Sequence, residues 1–141
     1  MTNEDVVKLY WDTCWNDRKV DRLADVFHDP YIHGRTEFML ARMADIIHGA
    51  LREFSDFRVR VNETEVLSEV VITRSTFLGT QSGELFGLSP TGRAVELPTL
   101  DIFFFREGKV WRYWHLTDHL PILKGIGAQI RIGDEVADLD R

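Results

Sequence analysis

The stretch whose reading decides the fold is TLDIFFFREGKVWRYWHLTDHL, residues 99–120. It reads as two aromatic-rich strands around a tight turn, and each strand carries an ionisable residue among its apolar ones. Left unpaired in an apolar interior, Asp101 or His115 would cost kilocalories. Either the two partner each other, or they act together on something that enters the space between them. The turn decides whether they meet. FREGKV (105–110) suits a three-residue loop in which Gly108 takes the left-handed position of a bulge. Asp101 and His115 then share parity and face one side of the sheet, directly opposite or one diagonal step apart, about 5 to 8 Å between backbones. Phe103, Trp111 and Tyr113 fall on that side by alternation. A two-residue loop would place the pair on opposite faces.

Working back toward the N-terminus, the period of the apolar residues changes from 2 to 3.6. FRVRV, VVITRSTFLGT and AVELPTLDIFFF, which precede the turn, are strand-like and rich in β-branched and aromatic residues. Before Phe54 the pattern is helical. Val7, Tyr10, Trp11, Cys14 and Trp15 form one stripe; Val20, Leu23, Ala24 and Phe27 form a second, shorter one. After the turn HDPYIHG, a third runs through Leu40, Met43, Ala44, Ile47, Leu51 and Phe54. Beyond the hairpin, Thr117 is placed to cap a last short helix with Pro121 near its start, and GIG (125–127) to stop it. The tail DEVADLDR is acidic and expected to fray. Helices followed by a run of strands, without alternation, indicate an α+β domain with an antiparallel-dominated sheet. The predicted architecture is a curved sheet wrapped over the N-terminal helices, a cone with an internal pocket, occupying residues 1–141 as a single domain with a peripheral tail from about residue 130.

Composition narrows the class. The chain has 141 residues, 44% hydrophobic and 28% charged, with 17 basic against 23 acidic side chains and a net charge of −6. That balance argues against a nucleic-acid footprint, which needs a basic face. No apolar run approaches the roughly 20 residues of a membrane helix. A single cysteine, Cys14, excludes an internal disulfide framework and makes a reducing cytoplasm the expected compartment. Its simplest role is that of a small buried hydrophobe.

A carboxylate beside an imidazole fixes which ring nitrogen holds the proton and raises the ring's basicity. Such a histidine takes and gives protons near neutral pH, the chemistry of proton abstraction next to a carbonyl. The competing reading is a buried pair that merely satisfies itself. His33 is a further candidate or, more plainly, a loop histidine. Trp15, Tyr10 and Met43 lie on helical stripes, as core residues or, if the core is hollow, as pocket lining. No metal site is read: His115 and His119 are four apart but not on one helix face, and His28 and His33 are no better placed. No nucleophile elbow, P-loop or dinucleotide fingerprint occurs.

Several words carry a family resemblance. VVKLYWDTCWNDRKVDRLADVFHDPYIHG, GTQSGELFGLSPTGRAVEL, LDIFFFREGKVWRYWHLTD and LPILKGIGA together resemble the SnoaL-like polyketide cyclases. That family belongs to the superfamily sharing the cone fold of nuclear transport factor 2, ketosteroid isomerase and scytalone dehydratase. The most specific words are the G-x-x-x-G-x-x-x-G-x-x-P-T-G-R loop and the hairpin leading to a short helix. The resemblance is imperfect at the site. His115 stands where the cyclases carry an acid/base aspartate, and Asp101 where they carry a histidine. His33 stands where they carry an asparagine, and Ser89 where they often have a second proline.

The resemblance implies a cofactor-free acid/base enzyme acting on a hydrophobic carbonyl compound by aldol cyclisation, isomerisation or dehydration. His115 would be the base, Asp101 its orienting partner and His33 the hydrogen-bond donor to the developing enolate oxygen. Trp15, Tyr10, Met43, Phe103, Trp111 and Tyr113 would line the pocket. An epoxide hydrolase, which needs a carboxylate–arginine–carboxylate set, fits less well. The rival class is a non-catalytic small-molecule-binding domain of the same fold. The expected partners are a small hydrophobic or aromatic ligand and a second copy of the chain, with neither nucleic acid nor membrane. Ile102, Phe104, Trp114 and Leu116, on the parity opposite the dyad, would form the homodimer face.

Overall fold

The computed structural model describes residues 1–138. Its centre is a curved, unclosed six-stranded sheet in the order β2-β1-β6-β5-β4-β3. The strands are β1 (Phe27–His33), β2 (Thr36–Phe38), β3 (Arg58–Val66), β4 (Val70–Thr80), β5 (Ala94–Arg106) and β6 (Lys109–Thr117). All neighbours are antiparallel except β1 and β6, which run parallel. Helices α1 (Asn3–Lys8), α2 (Leu40–Glu53) and α3 (Leu120–Gly125) complete the cone.

Alternation in β5 shows why the sheet has an inside. Val95, Leu97, Thr99, Asp101, Phe103 and Phe105 are all buried, while the residues between them are exposed or half-buried. Phe103, Tyr113 and Phe27 pack there against Tyr10 from the N-terminal segment, with ring centroids 5.2–5.8 Å apart and steeply inclined. Edge-to-face contacts of this kind add to the apolar burial.

The N-terminal helix departs from the expected α-stripe. A capping box closes its start, Thr2 Oγ1 accepting from the Asp5 amide and Asp5 Oδ2 from the Thr2 amide. From Leu9 to Asn16 the turns widen to π-helical, and Asp17 N donates to Asp12 O five residues back. Asn16 pins the end of this segment to β3: its amide donates to Val59 O at 2.9 Å and its oxygen accepts from Val59 N at 2.8 Å. Cys14 is buried and its thiol pKa is pushed up to about 12 by that burial, in keeping with a hydrophobic role.

Three other expectations are corrected. The second helix is a 3₁₀ helix, Val20–Asp25, and Phe27 already belongs to β1. HDPYIHG is not a turn between helices but the strand β1 and the start of its hairpin to β2. His28, Asp29 and Pro30 disguise it, because Asp and Pro are poor strand formers. The ladder to β6 is interrupted between Phe27 and Ile32, which tolerates the proline. Asp29 then caps α2, Oδ1 accepting from Leu40 N at 3.1 Å. Lastly, the tail holds a small hairpin, β7 (Arg131–Ile132) with β8 (Glu135–Val136), exposed on both strands. Residues 139–141, also part of the expected frayed tail, lie outside the described residues.

The decisive hairpin is built differently from its expected form. Arg106 pairs with Lys109 across a two-residue turn, Glu107–Gly108, both at positive φ (53° and 77°). That is a type I′ geometry, which glycine adopts freely and which matches the strand twist. Such a turn alone would separate Asp101 and His115. A bulge restores the parity: Phe105 pairs with Val110 but Phe104 with Arg112, leaving Trp111 unopposed. Beyond it Phe103 meets Tyr113 and Asp101 meets His115 directly.

Candidate active site

Asp101 is fully buried on β5, yet its carboxylate is not isolated. Oδ1 lies 2.5 Å from His115 Nδ1 and also accepts a short hydrogen bond from the Tyr113 hydroxyl. Oδ2 accepts from Thr99 Oγ1 at 3.1 Å. Three donors therefore converge on one buried carboxylate, which offsets the cost of taking it out of water. Hydrogen bonding to Asp101 assigns the proton to Nδ1 and leaves Nε2 as the proton-accepting nitrogen. Nε2 meets the Thr117 hydroxyl at 2.6 Å. Thr117 thus serves the histidine rather than capping α3, where Asp118 Oδ1 instead accepts from Leu120 N. The imidazole stacks on Phe77, centroids 5.7 Å apart, and its side chain is 28% exposed.

That exposed part borders a cavity of about 290 Å³. Its wall includes Tyr10, Trp15, His33, Met43, Phe77, Tyr113 and His115. Phe54, Phe57, Leu97 and Ile122 extend its apolar lining, and Phe86 with His119 flanks it on the side of the 81–93 loop. His33, the last residue of β1, lies flat on Phe38 with centroids 4.3 Å apart, and the Arg42 guanidinium stands 4.0 Å over the Phe38 ring. Its Nδ1 is 2.9 Å from Tyr31 Oη. Burial, and then the neighbouring His115 and Arg42, lowers the His33 pKa to about 4, so the ring is neutral at physiological pH. Burial likewise raises the Tyr10, Tyr31 and Tyr113 phenols above their ordinary range. Glu53, beside the cavity, also has a raised pKa through burial.

Two residues expected in the lining stand elsewhere. Trp111, displaced by the bulge, turns to the outer face beside Phe104, with Arg106 4.2 Å over its ring. There it lines a separate groove with His28, Pro30 and Arg106. Phe103 is fully buried behind the cavity wall, packed against Tyr113, Tyr10 and Trp11. Conversely, Thr99 and Thr117 were legible from the same parity argument that paired Asp101 with His115, since each lies two residues from a dyad member on the same strand. Tyr31 and Phe38 had no such signal, because their strands were hidden.

The fold and this cavity define a cone-shaped domain with a hydrogen-bonded aspartate–histidine pair at the wall of an apolar chamber. Residues 5–126 match the family described as SnoaL-like polyketide cyclase, and the chain belongs to that family. Among solved structures it is similar to IdmH of Streptomyces antibioticus, a candidate polyketide cyclase, at 19% identity and TM-score 0.82, covering 91% of this chain and 100% of that one. A SnoaL-like polyketide cyclase of Agrobacterium tumefaciens gives 22% identity and TM-score 0.78, covering 88% and 97%. AclR of Streptomyces galilaeus, a candidate hydroxylase, gives 24% and 0.78, covering 89% and 80%. At these identities the likeness is one of fold. Curated proteins provide no match. Among the described residues, no helix is long and apolar enough to cross a membrane.

Proposed function

We propose that the chain is a cofactor-independent acid/base enzyme acting on a hydrophobic carbonyl compound held in the 290 Å³ cavity. The observation that carries this reading is the asymmetric use of the His115 ring: Nδ1 is bound to a buried carboxylate, and Nε2 is left as a base beside an apolar chamber. His115 Nε2 takes a proton from the carbon next to the carbonyl, and the electron pair moves onto the carbonyl oxygen as an enolate. Asp101 holds the ring and balances the positive charge it gains. With the Tyr31 hydroxyl donating to its Nδ1, neutral His33 carries its proton on Nε2 and donates to the enolate oxygen. Returning the proton elsewhere gives isomerisation, attack of the enolate on a second carbonyl gives cyclisation, and expulsion of a β-hydroxyl as water gives dehydration.

The enzyme works as a single domain in a reducing cytoplasm, as a homodimer. The dimer face is the outer side of β5 and β6, where the cross-strand pairs Leu100–Leu116 and Ile102–Trp114, with Phe104, form one apolar band. A second reading, a binding domain without turnover, is favoured by Thr117, whose hydroxyl occupies Nε2. Hydrogen–deuterium exchange of the α-protons of 2-tetralone in D₂O, followed by NMR, separates the two. Exchange that is accelerated by the protein and lost in His115→Gln supports the enzyme; exchange at the buffer rate in both leaves the binding domain.

A further inference from the structure

The His115 ring stands between two oxygens. Nδ1 is 2.5 Å from Asp101 Oδ1, and Nε2 is 2.6 Å from Thr117 Oγ1. Strand alternation sets up this chain of contacts. His115 and Thr117 are two residues apart on β6 and share the face that carries the cavity, while Asp101 pairs with His115 from β5. An ionised carboxylate only accepts, so Nδ1 of the neutral ring carries the proton and the Thr117 hydroxyl donates to Nε2. Thr117 and its cross-strand partner Thr99 are used differently. Thr99 is 2% exposed, and its hydroxyl is spent on Asp101. Thr117 lines the cavity and its bond to His115 is exposed, the one hydrogen bond its hydroxyl makes among the described residues. A hydroxyl whose proton is directed at a base, and whose oxygen accepts nothing, has the arrangement of an activated nucleophile.

We propose that Thr117, His115 and Asp101 form a nucleophile–base–carboxylate triad that moves the acyl group of a small hydrophobic ester first to Thr117 and then to water. This activity goes beyond the proton-abstraction reading and shares with it only the dyad and the cavity. Thr117 Oγ1 bonds to the ester carbonyl carbon as its proton passes to His115 Nε2, and Asp101 balances the imidazolium. The electron pair of the carbonyl π bond moves onto its oxygen, to which His33 and His119, on the same cavity wall, offer ring N–H donors. Collapse of that adduct breaks the ester C–O bond, and His115 Nε2 returns the proton to the departing alcohol. A water then gives a proton to Nε2 and bonds to the acyl carbon. The Thr117 oxygen leaves, takes that proton back, and the acid is released. Ester and water become acid and alcohol, with the protein unchanged. Aromatic and aliphatic walls around about 290 Å³ suit an aryl ester of a short acid.

The probe is p-nitrophenyl acetate, incubated with the full chain, quenched in acid and mapped by mass spectrometry. An acetyl group should appear on Thr117, and p-nitrophenolate should be released faster than in buffer. Thr117→Val keeps the shape without the hydroxyl and should lower that release about a hundredfold. His115→Gln should lower it as far, because the members act as a unit. Thr117→Ser keeps a hydroxyl in the same place and should retain the acetyl label at position 117. Release unaffected in Thr117→Val, or an acetyl group confined to His115 or to lysines, overturns the triad. So does release at the buffer rate in wild type and Thr117→Ser alike. Acetylation of Thr117 without protein-dependent exchange of 2-tetralone keeps the triad and removes proton abstraction. Exchange that depends on His115, with no label on Thr117 and no release above buffer, keeps proton abstraction and removes the triad.

Discussion

Asp101 and His115 stand directly opposite each other across β5 and β6, with Oδ1 2.5 Å from Nδ1. The carboxylate is wholly enclosed, whereas the imidazole reaches the cavity. On the proposed function that difference divides the labour: one residue is fixed by its surroundings, and the other meets the guest. Asp101→Asn keeps the shape but removes the charge that holds the ring, so turnover should fall by about three to four orders of magnitude with little change in ligand affinity. His115→Gln should be as damaging alone, and the double variant scarcely worse. Retention of most of the turnover in Asp101→Asn, read from steady-state kinetics, would make the pair structural.

His33 sets a pH dependence of stability whose sign follows from its depressed pKa. Folded His33 stays neutral down to about pH 4, whereas its ordinary value is 6.5. Between those limits the unfolded chain binds the extra proton, so stability is full above about 6.5 and declines as pH falls toward 4. His33→Gln should flatten that slope by nearly one proton. Urea midpoints taken at intervals from pH 7 to pH 4 check this, and parallel slopes in the two proteins would contradict it.

The bulge makes the site sensitive to strand length. Trp111→Ala should leave the dyad in place, because the extra residue remains. Inserting one alanine between Arg112 and Tyr113 should move every following side chain of β6 to the other face and abolish the Asp101–His115 contact. Activity and the His115 imidazole NMR signals report the difference. An insertion variant with wild-type signals would show that the strand slips elsewhere.

Gly83 lies against the end of α2, where an added Cβ would fall 1.9 Å from the Arg52 carbonyl oxygen. Gly83→Ala should cost about 1–3 kcal/mol in chemical denaturation, since backbone rather than a pliant side chain must give way. Stability equal to wild type would mean that the loop is not docked on α2.

Light scattering tests the outer face of the sheet. Leu116, 70% exposed, is the most open member of the apolar band there. The wild-type chain should have a dimer mass at tens of micromolar, and Leu116→Asp should shift it to monomer without loss of fold. A monomeric wild type removes the proposed interface.

Much of this was legible in the residues, and the failures have physical causes. The strands from Arg58 onward declared themselves by β-branched and aromatic alternation, and α2 by its amphipathic stripe. The pairing of Asp101 with His115 was foreseen through a loop of the wrong length. A two-residue turn plus one bulged residue gives the same parity as a three-residue loop, so the outcome agreed while Trp111 was misplaced. The π-helical turns left no trace, because Tyr10, Trp11, Cys14 and Trp15 are all buried and an apolar set that dense fits either pitch. β1 was masked by His28, Asp29 and Pro30, residues that rarely build strands, and with it went the support that Tyr31 and Phe38 give to His33.

One buried side chain ties together the two ends of the loop between β4 and β5. Gln81, fully enclosed, donates to Gly83 O and Ser89 O at 3.2 and 3.3 Å and accepts from the Thr91 amide and hydroxyl at 3.1 and 2.6 Å. Those fastening points flank Glu84 and Phe86, whose side chains face outward. Phe86 is 63% exposed and borders the cavity. On the proposed function the molecule keeps a guest-selecting rim apart from its chemistry, and the rim can be rewritten, residue by residue, on an unaltered wall.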